Sequence, residues 1–501
     1  MSHMIRITVP AHAKGKRLSA YLAEAGYPLH ADCGGRGTCG KCRVTLISGA
    51  FWADPSGSSA VIPGEDGSLL SCHAWCGDAE AVVLLPQFEG QGLTMQATSD
   101  AHPSHPNHDP YDIALDIGTT TLAAALVSPK DGTILKTTSR LNPQKSFGAD
   151  VMSRIGAVME NEQNLFTMQT LLMRDICLMI DELAGEHPVS RMAVVGNPTM
   201  LHIFCGISPT SMGAYPFTPS FTETKILKGQ LLGLPIDTAI LLPSVSAFIG
   251  GDITAGMLAQ KMTAHDEPVL LVDMGTNGEM VLFTGKNHGA KLYATSTAAG
   301  PALEGAGIST GVGGISGAVC RVQFNGLTME TKTIGNMPSV GICGSGLIDL
   351  VAVLLQRGIV DETGFLEEDP FPYAPDLTLT AADIRAFQLA KSALRAGMEV
   401  LCDTAHIAYG MLSHIYIAGG LGFYMSIPSA MAVGLLPDCP RDRIISVGNT
   451  ALAGAAQVLR DASLLAQISQ EASLCETVEL NLSPTFSDKF MEYMMFPYEE
   501  L

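Results

Sequence analysis

The chain has 501 residues, 47% hydrophobic and 16% charged, enough apolar material for more than one core, which excludes disorder over most of its length. Lys and Arg number 29 against 49 Asp and Glu, a formal net charge of −20, which argues against a nucleic-acid partner because such partners demand concentrated positive charge. No apolar run reaches the roughly 18 residues of a membrane helix and no signal-peptide pattern is present, so a cytoplasmic protein with no membrane partner is expected.

In chain order, IRITV at Ile5–Val9 reads as a strand, and Leu18, Tyr21, Leu22 and Ala25 recur at helical spacing. The run HADCGGRGTCGKCRVTLISG follows, with Cys33, Cys39 and Cys42 close together and Cys72 remote, in LLSCHAW. Four kinds of site compete for it. Gly35, Gly40 and Lys41 imitate a phosphate-binding loop, but Cys42 stands where Mg²⁺ needs a hydroxyl. A thioredoxin-like CGKC needs a helix after Cys42, whereas RVTLIS alternates as a strand. A zinc site built from Cys39, Cys42, Cys72 and Cys76 leaves Cys33 and the neighbouring glycines without a role.

A [2Fe–2S] cluster uses more of the residues. Three thiolates come from one loop and a fourth from a distant strand, and glycines let the loop's N–H groups approach the sulfides. The pattern resembles the loops of plant-type and adrenodoxin-type ferredoxins, which makes Cys33, Cys39, Cys42 and Cys72 the ligands and Cys76 a bystander. The scattered Cys177, Cys205, Cys320, Cys343, Cys402, Cys439 and Cys475 read as small buried hydrophobes.

Between Gln91 and Asp109 the sequence turns polar, and His102, His105 and His108 are separated by prolines, so a solvated connector is expected rather than a metal site. Apolar residues then run into Asp116, turn at Gly118, Thr119 and Thr120, and return, a hairpin with an acid and hydroxyls at its tip. VLLVDMGTNGEMVLF repeats the pattern around Asp273, Gly275, Thr276, Asn277 and Glu279, which suggests duplicated halves facing across a cleft. IGGDITAGML reads as a connecting helix with Asp252 near its start, and GPALEGAGISTGVGG as a glycine-rich loop or helix entry carrying Glu304. VGNPTMLHIF and ICGSGLIDLVAVLL each read as a strand or turn entering a helix, the latter with Leu347, Leu350, Val351 and Leu354 in the core. In HIYIAGGLG a strand runs into Gly419, Gly420 and Gly422. Near the end, Met494 and Met495 read as core filler.

Turns of N–H groups, glycines and Thr hydroxyls cradle phosphate oxygens, and an Asp at each tip holds Mg²⁺, usually through water. A glycine turn at a helix start lets adenosine lie against backbone. The three motifs in this order resemble the ATP-binding superfamily of acetate and sugar kinases, heat-shock chaperones and actin. With the cysteine loop, NPQKSFGADVMSRI, VGNPTM, GGDITAG, AGPALEGAGIS and GICGSGLID, the chain resembles the reductive activators of corrinoid-dependent enzymes over nearly its whole length.

That resemblance implies an α+β ferredoxin-like (β-grasp) [2Fe–2S] domain at 1–90, a polar linker at 91–110, and an α/β actin-like ATPase of the ASKHA class, a duplicated ribonuclease-H-like fold, at 111–501. Its lobes would span about 111–265 and 266–480 with a C-terminal tail. The implied cofactors are the cluster, ATP and Mg²⁺; the implied partners are a corrinoid protein of a methyltransferase system and an upstream low-potential electron donor, with a homodimer left open. Asp116, Asp273 and Glu279 are the expected catalytic acids. Thr119, Thr120, Gly275, Thr276 and Asn277 would bind phosphates, Gly419, Gly420 and Gly422 adenosine, and Asp252 and Glu304 would position water or metal or cap a helix. Alternatives are the activator of a 2-hydroxyacyl-CoA dehydratase, a small-molecule kinase with a redox module, and a nucleotide-switched chaperone-like protein holding structural zinc.

Overall fold

In the computed structural model, residues 4–25, 27, 29, 37, 42–64, 66–86, 110–326 and 328–497 are described. Cys33, Cys39 and the expected connector with its three histidines lie outside them.

The N-terminal module is built from β1 (Met4–Val9), α1 (Leu18–Glu24), β2 (Arg43–Ser48), β3 (Ser68–Leu70) and β4 (Ala81–Pro86). Its sheet runs β1-β4-β2-β3 with every pairing antiparallel, and Ile5 faces Leu85 across the first pair. Leu18 and Leu22 are fully buried and join Val9, Val44, Val83 and Cys76 in one core. Truncating such a leucine to alanine costs about 2–5 kcal/mol. The helix ends one residue short of Ala25, which caps it and is exposed; Ala23 and Ser19 complete the buried face instead.

Two six-stranded sheets follow. The first contains β5 (Tyr111–Ile117), β6 (Thr121–Val127), β7 (Ile134–Leu141), β8 (Val189–Gly196), β9 (Lys225–Lys228) and β10 (Ile236–Leu241), in the order β9-β10-β8-β5-β6-β7. Helices α2 (Val151–Glu160), α3 (Gln163–Ala184) and α4 (Pro198–Phe204) belong to this lobe, and α5 (Gly251–Ala259) closes it. The second sheet contains β11 (Val269–Met274), β12 (Gly278–Phe283), β13 (Leu292–Thr297), β14 (His414–Ala418), β15 (Ile444–Gly448) and β16 (Glu476–Thr477), in the order β15-β14-β11-β12-β13-β16. With it go α6 (Gly344–Gln356), α7 (Ala381–Ala405), α8 (Gly420–Tyr424), α9 (Thr450–Arg460) and α10 (Pro484–Glu492).

The two sheets share one pattern. An antiparallel meander (β5-β6-β7, β11-β12-β13) is extended by two parallel strands (β8 and β10, β14 and β15). This is the duplicated fold read from the sequence. Buried side chains lie on both faces of β5, β6, β11 and β12, so these strands read as continuous apolar runs. Helices α5 and α9, which follow the last parallel strand of each sheet, pack on each other so closely that a Cβ on Gly454 would lie 2.0 Å from the Ala255 carbonyl oxygen.

Leu347, Leu350, Val351 and Leu354 are buried in the larger core of the second lobe. Of the scattered cysteines, Cys320, Cys343 and Cys402 are buried, while Cys177, Cys205, Cys439 and Cys475 are half-buried at the edges of cores. The methionines near the end are not the core filler expected: Met495 is exposed and Met494 half-buried, and the anchor is Phe496. Lys391 on α7 holds that segment by donating to the carbonyls of Tyr493 (2.6 Å) and Met495 (2.7 Å), because a buried ammonium needs acceptors. Among the described residues no helix is long and apolar enough to cross a membrane.

Candidate functional site

At the N-terminal module, the chain entering β2 and the turn after β3 bring Cys42 and Cys72 together. Their Sγ atoms lie 3.2 Å apart, both residues are buried, and the Ser71 N–H donates to the Cys42 carbonyl at 3.0 Å. Contact with the Cys72 thiol holds the Cys42 thiol down to about 6, which favours the thiolate a metal takes up. Cys76 differs: burial pushes its thiol up to about 11, and it packs among Leu18, Phe51 and Val83 as an apolar side chain. Gly37 shows why the loop is glycine-rich. Its φ is +76°, and a Cβ there would lie 2.6 Å from the His73 ring. Two convergent thiols, one following the glycine-bearing loop and one on the turn after β3, fit a thiolate-bound iron–sulfur cluster.

The second site lies where the lobes meet. The tip of β5–β6 carries Thr120 and the tip of β11–β12 carries Thr276; their hydroxyl oxygens are 3.2 Å apart. Both hydroxyls donate to Oε2 of Glu304, at 2.8 and 2.5 Å. Glu304, on the turn Pro301–Glu304, is therefore no remote helix cap but bridges the two tips. Gly300 ties that turn to the second tip through its N–H, which donates to the Thr276 carbonyl at 2.9 Å. Thr119 contributes its carbonyl, which accepts from the Arg154 guanidinium. Gly275 and Asn277 close the second tip, the Gly275 N–H donating to the Asn277 carbonyl at 3.1 Å.

Behind the threonines stand four acids. Asp273 and Glu279 face each other across the β11–β12 ladder, an arrangement that is unfavourable when both are ionised. Burial, reinforced by the Asp252 charge, pushes Asp273 up to about 7 and Asp116 up to about 8. Burial alone raises Asp252 to about 6, against the Ile253 N–H that its Oδ1 accepts at 2.8 Å. Glu279 is raised well above the usual range by burial and then by Asp252 and Asp273. Such a cluster calls for a counter-charge. Among the described residues no three His, Cys, Asp or Glu side chains converge to ligate one ion directly.

Two asparagines cross between the lobes. Asn197, which caps α4 by accepting from the Thr199 N–H, donates Nδ2 to Glu279 at 3.3 Å. Asn449, which caps α9, donates Nδ2 to Asp116 at 3.0 Å. Each lobe thus supplies an amide donor to an acid of the other. Neither asparagine stood out in the sequence, although Asn-Pro after an apolar run is a helix-start signal.

The third glycine motif reaches the same place. Gly419 has φ +91°, and a Cβ on it would lie 2.8 Å from Asp273 Oδ1. Gly420 starts α8 with open space around it. Gly422 instead serves packing, since a Cβ there would lie 3.0 Å from the Ile417 carbonyl oxygen.

Three family models match in order along the chain: a 2Fe-2S iron–sulfur cluster binding domain at residues 5–75, the RACo middle region at 111–265, and the C-terminal domain of RACo, described as the ASKHA domain, at 267–501. The chain is 31% identical over 441 residues to the corrinoid activation enzyme RamQ of Eubacterium limosum, covering 79% of this chain and 72% of that relative. It is 26% identical over 426 residues to the [Co(II) methylated amine-specific corrinoid protein] reductase of Methanosarcina barkeri, covering 76% of each. A solved structure, a reductive activator for corrinoid, iron–sulfur protein, superposes with a TM-score of 0.72 at 26% identity, over 97% of this chain and 96% of that one. By these matches and by its paired cysteine and hairpin sites, the chain belongs to the family of reductive activators of corrinoid-dependent enzymes, in which a [2Fe–2S] domain precedes an ASKHA domain.

Proposed function

We propose that the chain is an ATP-hydrolysing activator that delivers one electron to the inactive Co(II) of a corrinoid protein, regenerating Co(I) for a methyltransferase system. The electron comes from an upstream low-potential donor, so one oxidation balances one reduction. The observation that carries this reading is the meeting of Thr120 and Thr276 beside four raised carboxylates, in the chain that also pairs Cys42 with Cys72. In this reading residues 1–90 form the redox unit, 91–110 a linker and 111–501 the ATPase, with lobes at about 111–265 and 266–480.

Cys33, Cys39, Cys42 and Cys72 hold a [2Fe–2S] cluster, which when bound supplies a one-electron carrier near roughly −400 mV. For one electron each ~59 mV uphill is a tenfold loss in equilibrium constant, so a product as reducing as Co(I) needs added driving force. Thr119, Thr120, Gly275, Thr276 and Asn277 bind the phosphates, and Glu304 fixes the directions of the Thr120 and Thr276 hydroxyls. Asp116, Asp252 and Asp273 hold Mg²⁺ through water, which neutralises phosphate charge. Glu279, kept basic by burial, orients the attacking water. Gly419 and Gly420 bound the adenosine, and Gly422 lets α8 sit close enough to its strand for them to do so.

ATP then does mechanical work: nucleotide binding replaces the Thr120–Thr276–Glu304 contact between the hairpin tips with contacts to phosphate, and hydrolysis with product release lets that contact re-form. The test is what stimulates turnover. ATP hydrolysis by the anaerobic, reduced chain should rise on addition of a Co(II) corrinoid protein and not of hexoses or acetate. Stimulation by a small hydroxyl or carboxylate substrate, with transfer of the phosphoryl group to it, would make the chain a kinase.

A further inference from the structure

The segment Asn142–Ile155 has no role in the chemistry above, yet it is bonded to the first phosphate turn at every position of that turn. The Asn142 side chain donates to the Gly118 carbonyl at 2.8 Å, and its N–H donates to the Thr120 carbonyl at 2.9 Å. Arg154, fully buried on α2, donates to the Thr119 carbonyl, to the Gly148 carbonyl at 3.1 Å and to Gln144 Oε1 at 3.2 Å. Its Nη1 also lies 2.9 Å from the Met200 sulfur, so the guanidinium ties the turn at Thr119 to Gln144 and Gly148 of its own segment and to α4.

On its far side the same segment meets the redox module. Gln144, also buried, donates to the Met168 carbonyl of α3 at 3.4 Å. Helix α1 packs against both the turn Pro143–Phe147 and α3. From α3, Arg174 Nη1 points at the carbonyls of Ala23 (3.4 Å) and Glu24 (3.5 Å). These are end carbonyls of α1, at its negative pole, where a guanidinium is favoured. The chain leaving that end of α1 leads to the cysteine loop.

We propose that Asn142–Ile155, with α3 and its clamp Arg174, is the mechanical link that carries the state of the first phosphate turn to the redox module. This rests on the ATP-driven reading above. Displacement of the Thr120–Thr276–Glu304 contact by phosphate shifts Gly118–Thr120, Asn142 and Arg154 follow because they are bonded to its carbonyls, and α1 moves with the α3 face it packs on. Arg174 is a positioning residue at the end of this link and touches neither nucleotide nor cysteine.

The experiment is hydrogen exchange on the full chain with and without a non-hydrolysable ATP analogue and Mg²⁺, on wild type, Arg174→Ala and Arg174→Lys. Expected is slowed exchange at Gly118–Thr120 in all three, with a matching change of about fivefold or more at Leu18–Glu24 in wild type, the low end of allosteric coupling. Arg174→Ala should lose the change at Leu18–Glu24, keep ATP turnover within about twofold and form several-fold less Co(I) per ATP, with Arg174→Lys partly restoring both. Slowing at Gly118–Thr120 with α1 unaffected in wild type would overturn the link and leave the proposed function standing. A full α1 response in Arg174→Ala would overturn the clamp. No slowing at Gly118–Thr120 would defeat the nucleotide site itself, and the link with it.

Discussion

The two hairpins at the cleft have one topology and different electrostatics. In the first, Asp116 faces Ala123 across the ladder; in the second, Asp273 faces Glu279. The first hairpin therefore presents a single acid that accepts from Asn449, and the second a like-charged pair of which Glu279 accepts from Asn197. Duplication supplied a symmetric frame, and one exchanged position concentrates the charge-handling on one side. On the proposed function, the second hairpin is the half on which ATP chemistry depends most.

The strongest way to break this comparison is Asp273→Asn. Turnover should fall by about 10²–10³-fold, as when one preorganised electrostatic group is removed, while the visible spectrum of the N-terminal module stays unchanged. Asp116→Asn should cost clearly less; equal losses would show that the hairpins are equivalent. Glu279→Gln sharpens the point because it has two opposite effects. Turnover should drop, and thermal stability should rise by up to about 1 kcal/mol as cross-strand like charge disappears. A fall in melting temperature would mean Glu279 is held by a partner rather than repelled by Asp273.

Asn197→Ala and Asn449→Ala test the reciprocal crossing. Each removes a helix cap and an amide donor to a buried acid, so each should destabilise the chain by about 1–3 kcal/mol in denaturant unfolding. A loss confined to one of them would show that only one crossing matters. The smallest expected effect is pH dependence in the first lobe. Burial lowers the His202 pKa below its ordinary 6.5, and the neutral ring accepts from the Ser220 N–H at 3.0 Å. A base with a lowered folded-state pKa contributes stability that is present above its unfolded value and lost as pH falls through the folded one. Melting temperature should therefore drop with acidification below pH 6.5, and His202→Asn should flatten that slope.

Much of this was legible in the chain. Runs such as YDIALDI and VLLVDM, buried on both faces, announce central strands, and the acid, glycine and threonine at each turn mark the two tips that meet at the cleft. What stayed hidden is what only folding brings together. Thr120 and Glu304 are 184 positions apart, and Asp116 and Asn449 are 333 apart; no local pattern joins them. Arg154 was inside a motif quoted for its likeness alone, and its burial became visible only when α2 was set against the first phosphate turn. Gly422 misleads from sequence because a missing side chain serves helix packing as readily as ligand approach.

The most direct measurement is cobalt reduction followed spectroscopically under anaerobic conditions, with the chemically reduced chain, a Co(II) corrinoid protein and either ATP–Mg²⁺ or no nucleotide. The Co(I) bands should grow with ATP, and should fail to grow without it or when Asp273→Asn replaces wild type. Equal Co(I) formation in all three would contradict any role for nucleotide energy in moving the electron.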